Sequence, residues 1–251
     1  SEIGGKVNLA IFSDIHSNQE ALESCYKRAL QLGAEGFVCL GDVTGYGADP
    51  AATVDRLMAI DNLIAVRGNH EDALFAELSA NVKESLKNSV EWTKNQLNDT
   101  HLRYLGSLPY LVEACGVTFV HATADRPTQW TYLGQGDTVE NCMKAARTDV
   151  TFIGHVHIPR VFYATESGDV RDLKPREGVS IPLMLNRRYV INVGSVGQPR
   201  DGNSASCFVM YDDSSRQVTF HRVVYNHVEA ARKILVANLN PSFADRLLHA
   251  N

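Results

Sequence analysis

Long hydrophobic runs are missing from this sequence. The longest apolar stretches, such as Val7–Phe12, have the length of a strand, whereas a membrane-spanning helix needs about 20 predominantly apolar residues. The segment Ser1–Gly5 has neither a basic start nor an apolar stretch, so no signal peptide is predicted. With 44% hydrophobic and 21% charged residues among 251, we expect a soluble globular protein with a substantial core and no membrane span.

Clusters of basic residues are missing too. The 29 aspartates and glutamates outnumber the 24 lysines and arginines, which gives a formal net charge of −5. An acidic chain without a basic stretch offers no electrostatic attraction to nucleic-acid backbones or to anionic membrane surfaces. General nucleic-acid binding and membrane-surface binding are therefore not expected.

The cysteines do not form pairs with the spacing of a metal or redox motif. Five are scattered along the chain, and four of them lie in apolar or periodic segments. This distribution is typical of buried, reduced thiols, which predicts a cytoplasmic protein. The five are Cys25, Cys39, Cys115, Cys142 and Cys207.

Strands and helices alternate in the first part of the chain. Apolar runs predict strands at Val7–Phe12, Gly36–Leu40 and Leu63–Val66. Amphipathic segments predict helices over residues 18–32 and 50–60. This alternation predicts βαβ units and a parallel sheet.

The pattern is helical over residues 71–106, with breaks near Ser79 and Asn98, and it becomes turn-rich after Pro159. Short strands joined by turns in this later part predict antiparallel sheet. The predicted elements are a hairpin of Tyr110–Ala114 and Val117–Val120, a helix near Asp137–Ala146, a strand at Val150–Ile153, strands near Val161, Tyr189, Phe208 and Val218, and helices near His227–Asn238 and Ser242–His249.

Polar clusters follow several of these predicted strands. They contain Asp14, His16, Asp42, Asn69, His70, His121, His155 and His157. Strand ends are where a rigid sheet can aim several side chains at one point. Asp, Asn and His are ligands for divalent metals, so we predict a metal-dependent enzyme with its site along one edge of a sheet. Because the clusters span both halves of the chain, we predict one domain, residues 1–251, containing two sheets.

Each cluster taken alone has a structural explanation, such as a helix-entry loop or an ordinary turn. The chance that all of these clusters arise in this way is about one in twenty or less. Two metal ions about 3.5–4 Å apart need a shared carboxylate, which Asp42 or Asp14 could supply. Two carboxylates facing two divalent cations leave the site positive, and this suits a phosphate ester and its transition state.

The order of the clusters resembles that of the calcineurin-like metallophosphoesterase superfamily. Further segments of the sequence are similar to bacterial and archaeal members of the superfamily, which are related to diadenosine tetraphosphatase and to small phosphodiesterases. This likeness lies in Gly41–Pro50, Arg67, Asn192–Gly202 and Tyr225.

The resemblance implies an α/β fold, a four-layer α/β/β/α sandwich of two mixed sheets flanked by helices. It implies that one metal is held by Asp14, His16, Asp42 and His157. The other would be held by Asp42, Asn69, His121 and His155, with Asp42 bridging. His70 would be the general acid or a donor to the developing charge, and a metal-bridging hydroxide would be the nucleophile.

The segment after Asp42 departs from one branch of the superfamily. The protein Ser/Thr phosphatases have Asp-Arg-Gly shortly after this position, whereas Val43–Tyr46 stands here. The acidic residue that would orient His70 is therefore not evident, and a protein phosphatase is disfavoured. Asp49 and Asp72 are the candidates for the orienting role.

Three residues are candidate substrate contacts, namely Asn18, Tyr46 and Arg200. Arg200 could reach a substrate phosphate or fix a loop. Tyr46, in a Gly-flanked loop, could stack on a base or pack within the loop. Ser17 and Glu20 have the spacing of a capping box, which predicts Ser17 as the N-cap of the first helix.

Together the patterns predict a di-metal-dependent phosphoric ester hydrolase acting on a small phosphate ester or nucleotide. Phosphodiester or nucleotide substrates are favoured over phosphomonoesters. The two ions could be Mn, Fe, Zn, Co or Ni, since the donor types accept all of these. The alternatives are a non-catalytic metal-binding scaffold and a di-iron redox enzyme, although the latter would use helical Glu-x-x-His pairs, which are absent. A homo-oligomer is compatible with the sequence.

Overall fold

The computed structural model describes residues 7–134 and 137–251, so Ser1–Gly5, for which no signal peptide is predicted, lies outside the described residues. The strands are β1 (Asn8–Phe12), β2 (Gly36–Cys39), β3 (Ile64–Ala65), β4 (Leu111–Ala114), β5 (Val117–Val120), β6 (Val150–Ile153), β7 (Arg160–Ala164), β8 (Val170–Leu173), β9 (Ser180–Pro182), β10 (Tyr189–Asn192), β11 (Ser206–Asp212) and β12 (Gln217–Val223). The helices are α1 (Gln19–Gln31), α2 (Pro50–Met58), α3 (Asn69–Phe75), α4 (Glu84–Gln96), α5 (Asp99–Ser107), α6 (Asp137–Ala145), α7 (His227–Val236) and α8 (Pro241–His249), and a 3-10 turn spans Pro127–Gln129. In the described part of the chain, none of the helices combines the length and the apolar character that a membrane crossing requires.

The first sheet has six strands in the order β3-β2-β1-β11-β12-β9. β1 pairs in parallel with β2, and β2 pairs in parallel with β3. These pairings confirm the predicted βαβ units. β11 lies antiparallel to β1, and β12 and β9 continue the sheet in antiparallel pairs. The sheet is therefore mixed.

The second sheet has six strands in the order β4-β5-β6-β10-β7-β8. Its centre is parallel, because β6 pairs in parallel with both β5 and β10. The β4–β5 hairpin is confirmed. Cys115 and Gly116 form its turn at φ values of 52° and 71°, as a two-residue type I′ turn requires.

Side chains alternate between the two faces of each strand, and this alternation builds the layers. In β1, Ala10 and Phe12 pack with buried residues of α1, whereas Leu9 and Ile11 pack against the second sheet. On the far side of the second sheet, Ile153 of β6 packs with buried residues of α6. The order of layers is helices, first sheet, second sheet, helix, so the predicted α/β/β/α sandwich is confirmed.

The cysteines are free thiols, and four of the five are buried. Burial raises the pKa of the Cys25 and Cys207 thiols to about 12, so both stay protonated at neutral pH. Cys115, in the β4–β5 turn, is the partly exposed one. The predicted buried, reduced thiols are confirmed for the other four.

Candidate metal centre

The candidate ligands lie just beyond strand ends at one edge of both sheets, in loops or, for Asn69, at the start of a helix. Those of the first sheet are Asp14 and His16 after β1, Asp42 after β2 and Asn69 after β3, and those of the second sheet are His121 after β5, and His155 and His157 after β6. Backbone hydrogen bonds join the loops beyond the strands. The Asp14 N–H donates to the Gly41 carbonyl (3.0 Å), and the Gly154 N–H donates to the His121 carbonyl (2.9 Å). The two sheets therefore present their polar residues to a common space.

Two buried carboxylates occupy the middle of this space. Asp14 Oδ1 lies 3.1 Å from His157 Nε2 and 3.7 Å from His16 Nε2. Asp42 Oδ2 lies 3.2 Å from His121 Nε2 and 3.7 Å from His16 Nε2. His16 thus stands between the two carboxylates, and the five side chains form one continuous cluster.

Three sets of side chains each place their possible ligand atoms within 4.8 Å of one another. The sets are Asp14–His16–His157, His16–Asp42–His70 and Asp42–His121–His155. The first and third sets each contain three of the four residues of one ligand shell that the resemblance implies. Asn69 Oδ1 adjoins the third set, 3.2 Å from His121 Nε2. The second set contains His70, which the sequence places beside the ligands and not among them.

Backbone carbonyls fix the orientation of the imidazoles. Nδ1 of His16, His121 and His157 lies 3.0, 2.6 and 2.7 Å, respectively, from a carbonyl oxygen. A carbonyl can only accept, so Nδ1 carries the hydrogen and each neutral ring presents Nε2 as a lone pair. His155 is reversed. Its Nε2 donates to the Trp130 carbonyl (3.0 Å), which leaves Nδ1 to face the site.

Lone pairs consequently face one another at the centre. His16 Nε2 and His157 Nε2 are 3.2 Å apart. Asp14 Oδ1 is buried and has no hydrogen-bond partner within the described residues. Acceptors grouped in a buried space need a cation between them, because desolvated lone pairs repel. The nitrogen and oxygen donors present here suit divalent metal ions, with the carbonyls orienting the imidazole ligands.

The charges of these groups also suit metal binding. Burial alone would raise the pKa of Asp14, but His157 holds it well below its usual range. Against the effect of burial, His121 lowers the pKa of Asp42 in the same way. Burial lowers the pKa of His155 to about 4, so this ring is neutral. Against burial, Asp42 raises the pKa of His121 to about 10, so a metal ion has to displace the proton of His121.

Residues 7–215 match a family model, that of the calcineurin-like phosphoesterase superfamily domain. The chain belongs to this superfamily. It is therefore a metal-dependent phosphoesterase, a hydrolase that acts on phosphoric ester bonds.

Relatives of the phosphoesterase cover almost its whole length. It is 34% identical over 247 residues to the uncharacterized protein MJ0912 of Methanocaldococcus jannaschii, covering 96% of this chain and 98% of that protein. The crystal structure of a metallophosphoesterase from Sphaerobacter thermophilus superposes with a TM-score of 0.87 at 31% identity, covering 98% of this chain and 100% of that one. The hypothetical protein PH1004 from Pyrococcus horikoshii OT3 shares the fold, with a TM-score of 0.78 at 17% identity and coverage of 98% and 99%.

The phosphoesterase holds several candidate ligands in the left-handed backbone region. Their φ values lie between 48° and 67°, where residues other than glycine are uncommon. They are Asp14, His16, Asp42, His155 and His157. Two glycines allow the close approach of these loops, because a Cβ at Gly68 or Gly154 would collide with the carboxylate of Asp42 or Asp14, respectively.

Glu71 connects the ligand loops through hydrogen bonds, and the sequence analysis does not assign it a role. Its buried carboxylate accepts the backbone N–H groups of Asp42, Val43 and Gly68, each at 2.8 Å. The residue stands three positions after Gly68, which precedes α3. An acidic residue at that spacing from a helix start is the local signal that could have identified it.

His70 lies on the first turn of α3, beside the candidate ligands. Its ring centroid is 4.8 Å from that of His16 and 4.7 Å from that of Tyr46. Its backbone N–H donates to Asp42 Oδ1 (2.9 Å). Burial lowers the pKa of His70 to about 3, so the ring is neutral in this structure.

The acidic residues expected to orient His70 have other partners. Asp72 accepts hydrogen bonds from a neighbouring arginine and tyrosine at 3.1 and 2.9 Å. Asp49 accepts one from Lys233 at 2.9 Å. Within the described residues, neither carboxylate forms a hydrogen bond with the imidazole of His70, so the expected orienting role is not observed. The ring of Tyr46 packs against His70 instead.

Asn18, and not Ser17, caps α1. Its Oδ1 accepts the Ala21 N–H (3.1 Å), and its Nδ2 donates to the Gly197 carbonyl (2.9 Å) and the Tyr225 hydroxyl (3.1 Å). The side chain is buried, and both amide hydrogens are already used within the protein. The structure therefore does not support Asn18 as a substrate contact and gives it a structural role.

Tyr46 and Arg200 lie together at the rim of the centre. The Tyr46 ring is 4.7 Å from His16 and 4.9 Å from Phe243, so packing leaves it little free surface for a base. Arg200 donates from Nε and Nη2 to Gln198 Oε1 (3.1 and 2.6 Å). Its Nη1 is not used in these bonds, so phosphate binding by Arg200 stays a prediction.

Two further residues at the rim were missed by the sequence analysis. Arg246 of α8 places Cζ 5.4 Å from the Tyr46 centroid. Tyr132 is 63% exposed and stacks on His155, with the ring centroids 4.1 Å apart. Neither residue follows a strand or belongs to a motif, so no local pattern in the sequence identifies them.

Proposed function

We propose that this phosphoesterase is a di-metal enzyme that hydrolyses phosphodiesters or nucleotides. The observation that carries the proposal is the convergence of imidazole nitrogens on two buried carboxylates. One ion would be held by Asp14, His16, Asp42 and His157. The other would be held by Asp42, Asn69, His121 and His155. Asp42 would bridge, because His16 and His121 approach it from opposite sets.

The residues of the chain have distinct tasks in this proposal. When bound, two divalent ions would activate a water molecule and stabilise charge on the phosphate. Asp14 and Asp42 would supply the negative charge that holds the ions, and the backbone carbonyls would keep the imidazoles oriented. His70 would donate its ring N–H to the leaving oxygen or transfer a proton to it. Such a route needs no covalent phosphoenzyme.

A non-catalytic scaffold of the same fold is the alternative. A scaffold has no need for His70, whereas here the ring is packed against His16 and Tyr46 at the rim. The complete donor set together with a positioned imidazole favours catalysis.

The test is an activity screen after reconstitution with Mn, Fe, Zn, Co or Ni. The substrates are a bis-aryl phosphodiester, an aryl phosphomonoester, a cyclic nucleotide and a dinucleoside polyphosphate. We expect hydrolysis that chelation abolishes, with diesters or nucleotides favoured over the monoester. Elemental analysis should give two metals per chain. A single metal after full reconstitution would contradict the di-metal proposal, and a metal-loaded protein that cleaves none of the substrates would favour the scaffold.

A further inference from the structure

Two arginines bracket one aromatic ring at the rim of the metal centre. The guanidinium carbons of Arg200 and Arg246 lie 5.9 and 5.4 Å, respectively, from the Tyr46 ring centroid. The same ring is 4.7 Å from the rings of both His16 and His70. The two positive charges therefore stand immediately outside the candidate ligands and on the side where His70 lies.

Neither arginine is neutralised by a carboxylate within the described ranges. Arg200 donates to the neutral amide oxygen of Gln198. Asp201, its neighbour in sequence, is engaged instead by Arg222, through bonds of 2.6 and 3.1 Å. Among the described residues, the guanidinium of Arg246 has only its contact with the Tyr46 ring. The partly buried Arg56, by contrast, has an acidic partner, Glu23, at 2.6 Å.

The two side chains are nevertheless held in place. The Arg200 backbone N–H donates to the carbonyl of His157 (3.2 Å), which anchors it on a ligand loop. Arg246 is partly buried on α8, where Phe243, one turn earlier, packs edge-on against Tyr46 at 4.9 Å. Guanidinium groups held against an aromatic face lose little conformational freedom when they bind an anion. Fixed, unpaired guanidinium groups are typical of phosphate recognition.

We propose that Arg200 and Arg246 form a second-phosphate subsite next to the metal centre. The substrate class is then an ester or anhydride whose reacting phosphate is followed by another phosphate, as in nucleoside polyphosphates and dinucleoside polyphosphates. This inference rests on the proposed function and refines its substrate. The reacting phosphate occupies the metal centre, and the next phosphate along the chain reaches the arginines across the Tyr46 ring.

The test compares a one-phosphate and a two-phosphate ligand that cannot be hydrolysed. Binding of inorganic phosphate and of methylenediphosphonate to the Mn-loaded protein is measured by calorimetry, with metal content determined after each titration. We expect wild type to prefer the diphosphonate. Arg246→Gln should reduce that preference about tenfold, the order of one charge-assisted hydrogen bond, and Arg246→Lys should lose part of it because Lys keeps the charge without the planar fork.

A matched control is Arg103→Gln on α5, an exposed arginine whose side chain donates to Thr100 (3.2 Å); it should retain the wild-type preference. Arg200→Gln should act like Arg246→Gln. Kinetics give a second measurement, since the kcat/KM preference for a nucleoside polyphosphate over bis(4-nitrophenyl) phosphate should fall in parallel. If wild type binds both ligands equally, or if Arg246→Gln leaves the preference intact, the second-phosphate subsite is wrong.

These outcomes are distinguishable from a failure of the proposed function. Hydrolysis of the bis-aryl ester with an unchanged ligand preference in Arg246→Gln would overturn only the subsite. A protein that hydrolyses no phosphate ester would overturn the proposed function, and the calorimetric preference would still decide whether two phosphates are bound.

Discussion

Backbone strain at single residues accompanies the candidate ligand set. Asp14, His16, Asp42, His155 and His157 all have positive φ, and each non-glycine residue in this region costs about 1 kcal/mol or more. The same residues gather buried lone pairs and charges. Surrounding hydrogen bonds therefore have to hold a local arrangement that the free chain would avoid.

Among the candidate ligands, Asp42 is the residue whose substitution should reduce turnover and metal content most. We expect Asp42→Asn to lower turnover by at least about 10²-fold and to reduce metal content more than any other single ligand change. The reason is that its carboxylate approaches both His16 and His121, in different ligand sets. Kinetic assays and elemental analysis of the reconstituted variant measure its turnover and its metal content. Asp61→Asn, at an exposed position, is the matched control, and near-normal activity in Asp42→Asn would contradict a bridging role.

His70 should affect the chemical step without affecting metal content. We expect His70→Ala to lower turnover by roughly 10²–10⁴-fold, the usual contribution of one general acid or base. If proton transfer is its task, the loss should shrink for esters with good leaving groups such as nitrophenol. A leaving-group series on both proteins measures this, and His249→Ala, at an exposed position, is the control.

Equal losses across that series would indicate hydrogen-bond stabilisation by a neutral ring instead of proton transfer. Loss of metal together with activity would indicate that His70 is a ligand, as its grouping with His16 and Asp42 would allow. The assignment of His70 as a non-ligand would then be wrong.

Glu71 shows how one side chain couples two elements, the β2–α2 loop and α3. We expect Glu71→Gln to destabilise the metal-free protein by about 2–4 kcal/mol, because an amide cannot accept the same set of backbone N–H groups and places its own donors against them. Urea denaturation of the metal-free variant measures the change. Glu113→Gln, at an exposed position of β4, should leave stability nearly unchanged. A small effect in Glu71→Gln would show that the loops are held by other contacts.

The elements that the sequence predicts are those with a local signal. Buried runs such as β1 and β2, the hairpin turn and the proline at the start of α2 all carry their signals within a few residues. The edge strands β8 and β9 do not, since all of their residues are partly or fully exposed and they lack an apolar pattern. The predicted N-cap of α1, Ser17, is one residue too early. Ser17 has the capping-box spacing, whereas Asn18, the observed cap, forms two long-range side-chain hydrogen bonds that local spacing does not reveal.

Stability of the whole molecule should depend on metal. We propose that residues 1–251 form one domain, and we expect a single cooperative thermal transition. A ligand present at 100 times its Kd stabilises by about 2.7 kcal/mol, which corresponds to a Tm increase of roughly 5–10 °C for a chain of this size. Thermal scans with Mn and with a chelator measure it. Two separate transitions would contradict a single domain, and an unchanged Tm would contradict tight metal binding.

At the same scale, the sequence predicts the grouping of the candidate ligands, which the structure brings together, but it does not predict the residues at the rim. The ligands follow strands, so their residue types and their order along the chain are enough to group them. Arg246 and Tyr132 meet the site only because α8 and the segment before α6 fold back onto it. Contacts between parts so distant in sequence depend on the packing of the layers, and no spacing rule encodes them.

The family model ends at residue 215, whereas α8 spans Pro241–His249. All the candidate ligands lie within the matched region, and Arg246, with the Phe243 ring that supports Tyr46, lies beyond it. Arg200, the other arginine of the proposed subsite, lies within the matched region, so the proposed selectivity is encoded partly inside this region and partly in the helix beyond it. Evolution could therefore alter what this enzyme accepts by changing its last helix, with the hydrolytic machinery inherited intact, and a shared ligand pattern would then indicate a common reaction without a common substrate.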